Sequence, residues 1–223
     1  MLREKVIIFA ILILGVHHGF SQDWANLNKF KRDNMEIKNK NNRVVFMGNS
    51  ITEAWENMHP EFFEMNLFVN RGISGQTTPQ MLLRFRQDVI ELKPELVVIL
   101  AGINDIAENT GPITQDEILN NIISMVELAR ANKIKVLLCS VLPANRFQWR
   151  PSIKPADKVI ELNKKILDYA TKSNLNYVNY YNEMVDDQKG LKYELGEDGV
   201  HPNAKGYDIM EAILLKEISQ VLD

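Results

Sequence analysis

The chain has 223 residues, 45% of them hydrophobic and 25% charged, with a formal net charge of -3. That composition suits a soluble domain with a sizeable core and excludes disordered and fibrous classes. With 26 Lys and Arg against 29 Asp and Glu and no dense basic stripe, nothing electrostatic points to a nucleic acid as partner.

The first residues are a short basic start, a continuous apolar stretch from Val6 to Val16, and then small or polar residues. This order predicts a secretory signal peptide over residues 1–21, cleaved near Ser21 or Gln22. The apolar run is shorter than the roughly 20 residues that span a bilayer, so no stable membrane anchor is expected after processing. No Cys stands at the boundary to accept a lipid. The one cysteine, Cys139, lies in the apolar run KVLLCSV, where it reads as a small buried hydrophobe. A periplasmic or extracellular destination is expected, with export into another oxidising compartment left open.

A polar segment runs from Asp23 to Asn42, and beyond it short β-branched runs alternate with stretches of helical spacing. Strands are predicted at Arg43 to Met47, Leu67 to Asn70, Leu96 to Leu100, Lys135 to Val141 and Asn176 to Tyr180. Several are uniformly apolar, as strands buried on both faces are. Leu82, Phe85, Val89 and Leu92 mark one helical face. Ile118, Ile122, Met125 and Ala129 mark a second, opened by a Thr114/Glu117 capping box. Val159, Leu162, Ile166 and Tyr169 mark a third, and Tyr207, Met210, Leu214, Ile218 and Val221 a last one. No Pro-, Gly- or Ser-rich linker divides these units, so one domain over residues 22–223 is expected. Right-handed crossovers make it a doubly wound α/β fold with a parallel sheet of about five strands and ligands at their carboxyl ends.

Four segments could do chemistry at that edge. In VVFMGNSIT a buried strand stops at Gly48 and presents Ser50 just beyond it. Taken alone, Ser50 or Thr52 reads as the cap of a following helix. The second glycine of a G-x-S-x-G elbow is missing, which argues against an α/β-hydrolase. In DGVHPNAKGY, Asp198 and His201 share a loop. An imidazole can take a serine proton and a carboxylate can fix its tautomer, although the same pattern also reads as an Asx turn beside a surface histidine. In LVVILAGINDIAENTG the strand ends on Asn104, whose neutral amide could donate to an oxyanion, and Asp105 reads as a structural loop acid. In VNRGISGQTT, Gly72 and Gly75 follow the second strand, where a glycine N–H can approach a substrate closely.

Together and in this order, these segments resemble the conserved blocks of the SGNH hydrolases, also called GDSL lipases or esterases. The resemblance implies a flavodoxin-like three-layer α/β/α sandwich. It assigns a nucleophile to Ser50, the acid/base pair to Asp198 and His201, and oxyanion donors to the Ser50 N–H, the Gly75 N–H and the Asn104 amide. It implies no cofactor. The departure is Asn49, which stands where the family usually has the acid of GDS. His17 and His18 fall in the expected leader and His59 stands alone before Pro60 as a surface residue, so no metal-ligand spacing is seen.

Export and the absence of a long lid-forming insertion favour a short acyl group on a soluble or polymeric alcohol, first an acetylated carbohydrate. Specificity loops are expected at Thr52 to Met58, carrying Trp55, and at Leu142 to Pro155, with Arg146, Phe147, Trp149 and Arg150. Their aromatics could stack on a sugar or pack against the body. Phe62 and Phe63 read as core. The alternatives are a lipid or thioester acylhydrolase and a non-catalytic carbohydrate-binding protein on the same frame. A nucleotide binder lacks both G-x-G-x-x-G and a P-loop.

Overall fold

The computed structural model describes residues 23–37 and 44–222. The expected leader with His17 and His18 lies outside the described residues, as does Arg43, the first residue expected in the opening strand.

Strands β1 (Val44–Gly48), β2 (Phe68–Gly72), β3 (Leu96–Ile99), β4 (Lys135–Cys139) and β5 (Asn176–Val178) form one parallel sheet in the order β2-β1-β3-β4-β5. Every residue of β1 and β3 is buried, which is why both are written in apolar residues without polar alternation. Val45 pairs with Val69 on one side and Val97 on the other. The chain steps outward from β1 to β2 and returns past β1 to β3. The connections leaving β1 and β3 therefore diverge, and their carboxyl ends border a crevice.

Right-handed crossovers in opposite directions place helices on both faces. Helices α4 (Thr78–Asp88), α6 (Gln115–Ala131) and α7 (Ala156–Lys172) pack side by side, against β1, β4 and β5 respectively. Helices α2 (Ser50–Met58) and α3 (Pro60–Asn66) cover β1 and β2, and α9 (Ala204–Leu222) packs beside β5. The result is the expected three-layer α/β/α sandwich. Short helices α1 (Lys31–Ile37), α5 (Ile103–Ile106) and α8 (Tyr180–Met184) complete it. Among the described residues no helix is long and apolar enough to cross a membrane.

The elements depart from the sequence reading where side chains replace backbone partners. Strand β4 stops at Cys139 rather than Val141 because the Asn163 amide takes over both backbone groups of Val141. Its Oδ1 accepts the Val141 N–H at 2.7 Å and its Nδ2 donates to the Val141 carbonyl at 2.9 Å. Strand β5 stops at Val178 rather than Tyr180 because Asn179 caps α8, accepting the Asn182 N–H at 3.2 Å. The helix marked by Leu82 to Leu92 ends at Asp88, and Val89, Ile90 and Leu92 reach the core through a 3-10 turn. Leu82 is only partly buried, and Met81 takes its place beside Phe85. The Thr114/Glu117 capping box forms as read, and Ile118, Ile122, Met125 and Ala129 are all buried. Cys139 is buried, and its thiol is pushed up to about 12, leaving it an inert core residue.

Asp105 joins the two helical starts nearest the crevice. Its carboxylate accepts the Thr78 N–H at 2.9 and 3.0 Å and the Thr78 hydroxyl at 2.6 Å, fixing the first turn of α4 to α5. Burial raises its pKa to about 6 despite those donors. A carboxyl whose folded pKa lies above its unfolded value weakens the fold as pH rises through that interval. The substitution Asp105→Asn would keep an acceptor for Thr78 without the charge. From about pH 4.5 to about pH 7.5 the native protein should therefore lose roughly 2 kcal/mol of stability relative to Asp105→Asn, read from urea unfolding at both pH values. Parallel pH dependences of the two proteins would contradict this.

Candidate active site

At the carboxyl end of β1 the chain turns directly into α2. The cap of α2 is Asn49, whose Oδ1 accepts the Ile51 N–H at 3.0 Å, so neither Ser50 nor Thr52 serves as cap. Thr52 is buried, whereas Ser50 is only partly buried and its hydroxyl takes no part in the cap. As the first residue of α2, Ser50 has a backbone N–H with no partner inside the helix, at the positive end of its dipole. The helix seats this close only because Gly72 lacks a side chain: a Cβ there would lie 2.2 Å from the Glu53 backbone nitrogen.

Asp198 and His201 sit in the loop ahead of α9. Asp198 Oδ1 accepts the backbone N–H groups of Val200 at 2.8 Å and His201 at 2.7 Å, which makes the Asx turn. Its Oδ2 lies 2.6 Å from His201 Nδ1, and His201 Nε2 lies 2.8 Å from Ser50 Oγ. The two readings of this loop are thus one structure, in which one carboxylate oxygen folds the turn and the other holds the ring. Burial works against the Asp198 charge, but donation from the His201 N–H, the His201 ring and the Val200 N–H outweighs it and holds the carboxyl below its usual range. An ionised Asp198 fixes the proton on Nδ1 and leaves Nε2 as acceptor for the Ser50 hydroxyl.

Gly75 and Asn104 lie at the ends of the neighbouring connections. Gly75 has φ +76°, a left-handed conformation that a side chain would strain, and the space where its Cβ would stand is open. Asn104 Nδ2 donates to the Gln76 carbonyl at 3.0 Å, which leaves its second N–H unengaged by that bond. Asn109 Nδ2 donates to the Gly75 carbonyl at 3.2 Å. Gln76 and Asn109, unmarked in the sequence, therefore tie these two stretches together.

Two of the three aromatics expected at the substrate are elsewhere. Trp55 is 1% exposed: it belongs to α2 rather than a loop, lies between Phe62 and Tyr207 at centroid distances of 5.3 Å each, and donates to Glu211 at 2.9 Å. Phe147 is also 1% exposed and packs in the core. In both cases a residue beside the strand ends turns its side chain down into the body. Trp149 is different. It is 44% exposed, rests on Phe147 at 5.0 Å between centroids, and donates to Asn109 Oδ1 at 3.2 Å. That bond brings it to the Gly75 loop through Asn109. Arg150 donates to the Glu108 carbonyl at 3.3 Å in the same stretch.

His59 is not a surface residue. It is partly buried, with Nδ1 2.8 Å from Glu211 Oε1 and 3.8 Å from Asp208 Oδ1. These three could reach one cation, but the same Glu211 oxygen already holds the Trp55 indole and the His59 ring.

Residues 46–209 match the GDSL-like Lipase/Acylhydrolase family. The crystal structure of a GDSL-like lipase from Bacteroides thetaiotaomicron VPI-5482 is 52% identical. It superposes with a TM-score of 0.84 over 88% of this chain and 98% of that one. An acetylxylan esterase of Geobacillus stearothermophilus is 26% identical over 157 residues, 67% of this chain and 71% of that protein. The uncharacterized lipoprotein YqeF of Bacillus subtilis is 33% identical over 95 residues, and the match spans 41% of this chain and 39% of that protein. The chain belongs to the GDSL-like lipase/acylhydrolase family, a family of hydrolases acting on ester bonds.

Proposed function

We propose that the chain is an exported serine esterase that removes short acyl groups, first of all acetyl, from carbohydrate. The observation that carries this reading is the unbroken line from Ser50 Oγ through His201 Nε2 and Nδ1 to Asp198 Oδ2, at 2.8 and 2.6 Å. His201 takes the Ser50 proton as Oγ bonds to the ester carbonyl carbon. The carbonyl oxygen becomes an oxyanion held by the N–H groups of Ser50 and Gly75 and the Asn104 amide. The tetrahedral intermediate collapses, the C–O bond to the alcohol breaks, and the imidazolium returns its proton to the leaving alkoxide. Water, deprotonated by the same imidazole, then attacks the acyl-enzyme and releases the carboxylic acid and Ser50.

The carbohydrate assignment draws support from the acetylxylan esterase relative and from the makeup of the rim. Trp149 offers a partly exposed aromatic face, and Asn109 and Arg150 give it polar surroundings suited to a hydroxylated alcohol. A signal peptide over residues 1–21 and one catalytic domain over residues 22–223 complete the proposal.

Fluorophosphonate should label the protein, and Ser50→Ala should abolish both labelling and hydrolysis of a short acyl ester. Equal labelling of the two would remove Ser50 as nucleophile. Asp198→Asn, which fails to hold the Nδ1 proton, should lower kcat by about 10³- to 10⁴-fold while labelling slows in parallel. Trp149→Ala should raise KM for an acetylated xylo-oligosaccharide by roughly 5- to 30-fold and leave that for p-nitrophenyl acetate nearly unchanged. An equal change in both would detach Trp149 from sugar recognition.

A further inference from the structure

The polar segment ahead of β1 is no linker over its described part. Asp23 folds it into a turn, its carboxylate accepting the Leu27 N–H at 2.7 Å and the Asn28 N–H at 2.9 Å. Glutamines on α4 then grip its backbone: Gln80 donates to the Trp24 carbonyl and Gln87 to the Leu27 carbonyl, both at 2.6 Å. Hydrophobic burial does not explain this attachment, because Trp24 and Leu27 are exposed and only Ala25 is buried. The strap is held by directional polar bonds, and two more tie it to one loop.

On one side of Gly75, Glu53 accepts both the Ser74 N–H, at 2.7 Å, and the Ser74 hydroxyl, and Lys29 of the strap pairs with the same carboxylate. On the other side, Gln76 uses every polar group of its side chain. Its Nε2 donates to the Ala25 carbonyl at 2.7 Å and its Oε1 accepts from Arg84 Nε at 2.5 Å. Its backbone carbonyl holds the Asn104 amide. Arg84 is wholly buried and also donates to the Gly48 carbonyl at 2.9 Å, two residues before Ser50.

We propose that Gln76 is a positioning residue of the oxyanion hole, and that the strap Asp23–Lys29 is the other half of the same device, fixing Gly75 from both flanks. This rests on the reading of Gly75 and Asn104 as oxyanion donors. Glycine has the freest backbone of any residue, so a glycine donor points in one direction only if its neighbours are held. A donor fixed in advance needs no reorganisation as charge develops, and a misplacement of about 1 Å costs on the order of 10²-fold in rate. The strap bonds supply that restraint on the Ser74 and Gln76 sides while leaving the open space at Gly75 for substrate.

Two variants separate this role from general stabilisation. Gln76→Glu keeps an acceptor for Arg84 and loses the donor to the Ala25 carbonyl, and Lys29→Ala removes the strap's charge from Glu53. Hydrolysis of p-nitrophenyl acetate should show kcat lower by about 10-fold in Gln76→Glu and about 3-fold in Lys29→Ala, with KM within about 2-fold of native. Hydrogen exchange should accelerate over residues 72–78 in both. A strap that only stabilised the fold would lower the melting temperature while leaving kcat and the exchange of this loop unchanged, and that result would overturn the proposal. Should Gln76→Glu not fold, Lys29→Ala, a substitution at the protein surface, decides the matter alone. Native protein that neither hydrolyses esters nor reacts with fluorophosphonate would instead sink the esterase reading. Exchange in the loop would still decide whether the strap restrains it.

Discussion

The rim of this enzyme hangs on a buried guanidinium. Taking a cation out of water costs several kcal/mol unless it is paired and hydrogen-bonded, and each of the three nitrogens of Arg84 donates to a partner of its own. Burial lowers its pKa and the Asp88 carboxylate, 3.0 Å from Nη1, opposes that loss. Its other two nitrogens reach the carbonyl that ends β1 and the side chain that follows Gly75. Moving either partner would leave part of a buried charge unanswered. The energetic demand of the core is thereby converted into a geometric demand on the surface: the residue two before Ser50 and the residue after Gly75 cannot drift apart.

A second joint closes the other side. Tyr207 donates to the Ile51 carbonyl at 2.7 Å, stacks on Trp55, and sits in the first turn of α9, just past the loop that carries His201. Glu211, one turn further along, binds the Trp55 indole. Helix α2, which begins at Ser50, is thus registered against α9 by stacking and two hydrogen bonds. Aromatic pairs of this kind contribute about 0.5–1.5 kcal/mol each beyond the area they bury, and they constrain angle as well as distance. The 2.8 Å approach of His201 to Ser50 follows from this joint as much as from the loop itself.

These joints explain what could be read from the sequence. The strands were legible because a strand buried on both faces has to be apolar throughout, and the order of units then dictated the sheet. Ser50, Asp198 and His201 stood out in the sequence as residue types that could act together, and the fold brings their side chains within hydrogen-bond distance. Gln76 and Arg84 did not, since a glutamine after a glycine and an arginine on a helix look ordinary until the fold brings Gly48 and Ala25 beside them. The strap escaped for the same reason: it has no apolar periodicity, and its order comes from side-chain amides of another element. Trp55 and Phe147 were misplaced because an aromatic near a strand end gives no sign of which way it points. Trp55 points inward because α2 begins at once, turning that position onto the face covered by Phe62 and Tyr207.

Asn49 gives that immediate start its particular character. Where the family usually carries an acid, this chain caps α2 with a neutral oxygen, and the Asn49 Nδ2 is left buried without a partner among the described residues. An unanswered buried donor costs about 1–3 kcal/mol. A carboxylate in its place would cap the helix as well and favour its positive end, but it would also set a fixed negative charge, shielded from water, next to the serine proposed as nucleophile. With an amide, the ionised group of the hydrogen-bonded line is Asp198, two bonds removed from Ser50 and partly exposed to solvent. The sequence thus accepts a local loss of stability at the cap in a site where, among the described residues, the one charge bonded to the His201 ring is the one that orients it.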